Sequence, residues 1–198
     1  MADQRPQPVA KNIANYPGAA RERLLHAASD LFCRCGINAT GVDSIVEAAG
    51  TAKTTLYKAF GSKEGLIEAV LEHEGSVWRE WFSNEVDAFE GEPRDKMLHI
   101  FDVLKKWFAE ESFFGCPFIN AVGEHDKDDD RLRNLTMKHK KIVLDKIHSV
   151  AREVRPDDAE ELTHQIGLLI DGAIVAALVT RDPGVADHAR NAVKSMIK

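Results

Sequence analysis

The sequence predicts an all-helical protein with a small N-terminal head and a larger helical body. Three observations carry this. Apolar residues recur at helical spacing through most of the 198 residues. No stretch keeps a period-two alternation, and no hairpin turn lies between two strand-like runs. Glycine and proline break the pattern at intervals that suit about nine helices.

Residues 1–18 hold three prolines and no sustained apolar period, and are expected to form a mobile tail. From 19 to 36, Leu24, Ala28, Leu31, Phe32 and Cys35 line one side of a helix that Gly36 stops. Thr40 is placed to cap the next helix, with Val42, Ile45, Val46 and Ala49 inward and Gly50 ending it. A third helix over 52–60 is expected to bury Leu56 and Phe60. Ser62 then caps a longer one running to about 88, with Lys63 and Glu64 in its first turn.

The body follows the same logic. Pro93 suits the first turn of a helix to about Glu110. A short apolar segment, 115–125, precedes the charged run at 126–130 and a helix from about 130 to 153. Pro156 and Pro183 separate two more, at 157–180 and up to about 197. The expected domains are 19–73, with a helix-turn-helix at about 42–61, and 74–198.

The stretch 42–64 carries the function. Two short helices joined only by a few residues around Gly50 must cross sharply, which is how a helix-turn-helix presents side chains to the major groove. An αα corner in any helical protein has the same outline. Residues 20–73 resemble the N-terminal domain of the TetR/AcrR family of transcriptional regulators. The matching residues are Leu25, Ala28, Leu31, Phe32, Gly36, Thr40, Ile45, Ala49, Gly50, Lys53, Thr55, Leu56, Tyr57, Phe60, Ser62, Lys63, Glu64 and Leu66. The resemblance implies phosphate contacts at Thr40, Tyr57 and Lys63, and base contacts from Lys53, Thr54, Thr55 and Lys58. Ala52 stands where the family usually starts the reading helix with Ser, leaving Thr51 as a substitute cap. Thr54, Ala59 and Val46 are further departures, which leave the fold intact and alter the reading surface.

Charge agrees only after it is divided. The net charge is −6, yet residues 1–70 hold 8 Lys/Arg against 7 Asp/Glu, and the remainder 18 against 25. The acidity lies in the body, so the head can still meet phosphates.

For the body, the family resemblance implies pairing with a second copy and binding of a small effector. In the helix at 157–180, Leu162, Ile166, Leu169, Ile170, Ala173 and Ala177 form an apolar stripe, and Leu168, Val175 and Val179 extend apolarity around the axis. A central core helix and half of a dimer interface made with 184–197 both fit. Aromatic residues crowd between 78 and 118, as in an apolar pocket or an ordinary core. The effector candidates are Trp78, Phe82, Phe101 and Trp107, with Cys116, Asn120 and His125 from a segment that resembles one in a subset of TetR-type regulators.

Other classes fit less well. Cys116 could be a nucleophile, but no oxyanion loop, phosphate-cradling glycine motif or paired carboxylates accompany it, so no enzyme is expected. Cys33, at the flank of the first helix, could sense redox state, whereas Cys35 reads as core. Asp126, Asp128, Asp129 and Asp130 read as a solvated loop rather than a cation site. Three cysteines without metal-ligand spacing, and no secretion leader, suit the cytoplasm; no cofactor or metal is expected. The apolar run Ile166–Val179 is shorter than the ~20 residues a membrane span needs. The expectation is therefore a homodimeric repressor that leaves a palindromic double-stranded DNA operator when a small, apolar or aromatic effector binds. A redox-responsive regulator and a helical dimeric protein that binds no DNA are the alternatives.

Overall fold

The computed structural model describes residues 19–125 and 130–197. The expected N-terminal tail and most of the acidic run, residues 126–129, lie outside the described residues. Those described form nine α-helices and no strand. They are α1 (Ala20–Cys35), α2 (Val42–Ala48), α3 (Lys53–Phe60), α4 (Lys63–Asp87), α5 (Pro93–Phe108), α6 (Pro117–Glu124), α7 (Asp130–Val154), α8 (Ala159–Thr180) and α9 (Val185–Met196). A 3₁₀ turn, Pro156–Asp158, leads into α8.

The helices group into two compact units, one from residues up to 78 with 116–137, the other from 79–115 with 138 onward. In the first, α1, α2 and α3 pack pairwise around Leu24, Ala28, Ile45, Ala49 and Leu56, all 0 % exposed. Three short helices bury little apolar area singly, so each contributes its inward stripe to one shared core. Gly50 (φ +58°) turns the chain between α2 and α3 in a conformation that side chains with a Cβ resist. Arg23 Nε donates to Ala49 O at 3.1 Å and fixes α1 to the end of α2.

Three details differ from the sequence reading. Thr40 does not cap α2, whose N-cap is Gly41 without a side-chain bond. Its hydroxyl turns inward and donates to Gly36 O at 2.7 Å. Phe60 is half-buried rather than core, at the C-terminal end of α3, and the Arg21 guanidinium lies over its ring at 4.9 Å. Cys35, the last residue of α1, is exposed, while Cys33 is half-buried. Ser62 does cap α4, its Oγ accepting from Gly65 N–H at 3.1 Å.

In the second unit α5 lies against both α8 and α9, which also pack on each other. Phe101, Leu104, Ile147, Leu162, Ile166 and Val193 fill its core. The stretch Pro156–Thr180 is, by length and composition, long and apolar enough to cross a membrane, more than the run Ile166–Val179 suggests alone. Its Leu162, Ile166, Ile170 and Ala177 are nonetheless buried in this unit, and its Asp171 pairs with Lys140.

Candidate functional site

Leu56 turns inward at 0 % exposure and so fixes the rotation of α3. Lys53, Thr54, Tyr57 and Lys58 are left exposed on the opposite side. At 100° per residue these four span an arc of about 140°. Such a face offers two ammonium groups, a hydroxyl and a phenol to a groove lined by phosphates and base edges. Thr55 and Thr51 are half-buried at its margins. Neither caps α3, whose N-cap is Ala52 with no side-chain bond.

Two of the remaining candidates serve the scaffold. Thr40 is 3 % exposed with its hydroxyl engaged internally, so it offers no free donor to a phosphate. Lys63 Nζ donates to Ile37 O at 2.7 Å, tying α4 to the loop before α2. Two residues join the surface that sequence spacing did not single out. Asp43 of α2 holds Lys53 Nζ at 2.7 Å, and this hydrogen bond raises the lysine's pKa, keeping it charged. Arg21 adds a cation against the end of α3 through its ring contact, which no spacing along the chain reveals.

The same unit holds α6. Glu124 at its end meets the α1–α2 loop twice: Asn38 N–H donates to its carboxylate at 3.0 Å, and Asn38 Nδ2 to its carbonyl at 2.6 Å. Gly36 approaches the same carboxylate, where a Cβ would stand 3.1 Å from Glu124 Oε2.

The seven effector candidates divide between the units. Trp78, Cys116, Asn120 and His125 belong to the first; Phe82, Phe101 and Trp107 belong to the second. Phe82 and Phe101 are buried, and Trp107 packs edge-on against Phe113 at 5.1 Å. Cys116 is buried, and Asn120 and His125 are half-buried. His125 borders a shallow crevice with Glu64, Ile67, Glu68, Arg131 and Leu132. An open, polar depression of about 560 Å³ lies along His148, Arg152 and residues 156–164. None of Phe82, Phe101 and Trp107 lines either one.

On α8 the stripe faces inward. Leu162, Ile166, Ile170, Ala173 and Ala177 are buried within the chain's own core, and Leu169 is half-buried. The apolar face left open is the other one: Leu168 is 74 % exposed and Val179 76 %, with Val175 and Leu178 between them.

Burial pushes the Cys33 thiol up to about 12, with Glu74 and Asp30 adding to the effect. A thiol held protonated is a poor nucleophile, which argues against redox sensing there. Among the described residues, no group of three or more His, Cys, Asp or Glu could hold a metal ion.

Comparison with known proteins agrees with this architecture. Residues 24–70 match the family model for bacterial regulatory proteins of the tetR family. Residues 93–193 match the tetracyclin repressor-like C-terminal domain. The HTH-type transcriptional regulator YxaF of Bacillus subtilis is 31 % identical over 173 residues, covering 83 % of this chain and 88 % of that protein. The structure of a TetR-family transcriptional regulator from Streptomyces coelicolor superposes with a TM-score of 0.78 at 26 % identity, covering 90 % of this chain and 94 % of that one. CifR, a TetR-family regulator solved as a cysteine mutant with 26-bp double-strand operator DNA, shares the fold at a TM-score of 0.77 and 21 % identity, covering 88 % and 95 %. The chain belongs to the TetR family of bacterial regulatory proteins, and is a DNA-binding transcriptional regulator rather than an enzyme.

Proposed function

We propose that the protein is a homodimeric repressor acting in the cytoplasm, released from a palindromic operator by a small effector. The observation that carries this reading is the exposed arc of α3, where Lys53, Thr54, Tyr57 and Lys58 share one face above a buried Leu56. A reading helix of this kind gains specificity when two copies address half-sites about one helical turn apart. The second copy is assigned to the outer face of α8, Leu168, Val175 and Val179, since large exposed apolar side chains favour a like surface. The capture of CifR on operator DNA supports the same mode of action for this fold.

Release requires that the effector prefer a conformation whose two heads are wrongly spaced. The paired bonds between Glu124 and Asn38 offer a route, because they join α6, which carries Asn120, to the loop entering α2. The test is footprinting on the DNA beside the protein's own gene, at moderate salt. A protected two-fold-symmetric sequence is expected. Uniform protection without sequence preference would sink the repressor reading.

A further inference from the structure

We propose that the effector carries an anionic group on an apolar or aromatic frame, and that Arg79 receives that group. The inference rests on the effector-release reading and adds the ligand's chemical class. Arg79 stands on α4 and is half-buried, and its Nη1 donates to His139 Nδ1 of α7 at 2.8 Å. His139 is 6 % exposed. Burial, then the charges of Arg79 and Lys140, lower its pKa to about 3, so the imidazole stays neutral and cancels none of the guanidinium's charge.

Four other half-buried cations of this unit each face a carboxylate. Lys140 faces Asp171, Lys146 faces Asp87, Arg155 faces Asp158 and Arg190 faces Asp102. Among the described residues, no carboxylate lies within ion-pair distance of Arg79, and desolvation is what lowers its pKa. A guanidinium has five N–H donors in a planar fork that fits a carboxylate, sulfonate or phenolate. His139 occupies one of them and fixes the fork's orientation. Phe82, one turn along α4, and Val143, one turn along α7 from His139, are both buried. Helical spacing places them on the same faces as the polar pair, so the guanidinium stands at the edge of apolar packing that suits a ligand with an apolar frame.

The test uses two fluorescent probes with one ring system, 8-anilino-1-naphthalenesulfonate and uncharged N-phenyl-1-naphthylamine. The wild-type protein should bind the sulfonate about tenfold more tightly, the size of one charge-assisted contact. Arg79→Gln should abolish that preference and leave the neutral probe's affinity unchanged. Arg152→Gln, at an exposed arginine of α7, should keep the preference. If Arg79→Gln binds neither probe, Arg79→Lys decides: a retained preference supports the assignment and a lost one overturns it. Equal binding of both probes by the wild type, binding of neither, a preference that survives Arg79→Gln, or one lost equally in Arg152→Gln would each overturn it. Operator binding measured without ligand is independent of these outcomes, so the two readings fail separately.

Discussion

Helices α3 and α8 each bury one side and leave the other open, and the open sides are chemical opposites. On α3 the exposed arc carries Lys53, Thr54, Tyr57 and Lys58; on α8 it carries Leu168, Val175 and Val179. A charged, hydroxylated face keeps its water until a surface of opposite charge replaces it, so its binding weakens as salt rises. An apolar face gains from being covered and is nearly indifferent to salt. One chain thus holds two contact surfaces that respond to different solution variables, and each can be disturbed without the other.

The strongest way to break the contrast is to charge the apolar face. Leu168→Asp with Val179→Asp should lower the mass in light scattering from twice the chain's 22.0 kDa to that value. Two desolvated carboxylates should weaken pairing by about 100-fold or more. Both sites are about three-quarters exposed in the single chain, so the thermal midpoint of the monomer should hold. A dimer that survives would move the pairing surface away from α8.

The reciprocal test removes charge from α3. Lys53→Ala with Lys58→Ala removes two ammonium groups from each of two heads and should reduce the slope of log affinity against log salt by up to about four, and operator affinity by at least roughly 30-fold, with the dimer intact. An unchanged slope would mean that neither ammonium meets a phosphate or base.

Much of this was legible in the sequence, and the failures have physical causes. Leu24, Ile45, Ala49 and Leu56 are core because helical spacing and the breaks at Gly36 and Gly50 leave them nowhere else to point. The buried side of α8 could not be chosen, since the helix is apolar almost all round and periodicity then gives no direction. Cys35 is exposed where spacing predicts core, because α1 ends there and the last position of its apolar stripe is left uncovered. The Arg21–Phe60 contact and the pairing of Arg79 with His139 join residues far apart in the chain, which no local pattern encodes.

Acid should separate the two regions by stability. Unfolded, the His139 imidazole takes a proton near 6.5; folded, near 3. Between those values the unfolded chain holds the extra proton, so stability should fall by about 1 kcal/mol for each pH unit lost. His26 in the head is also lowered, by burial and then by His73, which gives the same sign. Denaturant midpoints across this range should fall steeply in the wild type and more gently in His139→Gln. Parallel curves would show that His139 is not the controlling group.

The smallest effect expected is a gain. Asp43 holds Lys53 and brings a carboxylate to the reading face. Asp43→Asn frees the ammonium and removes a charge that repels phosphate, so operator affinity should rise about threefold at low salt, with little difference at high salt. A loss instead would show that Asp43 orients Lys53 for reading.

Gly36 has a consequence for genetics. It adopts φ 88° and ψ 156°, a region closed to nearly every residue with a side chain. Any Cβ there would also press on the Glu124 carboxylate. In a random-mutagenesis screen scored by reporter output, alleles at this codon should cluster with those of the reading helix. Sorted by phenotype alone, a residue that touches no base would be mistaken for part of the recognition code.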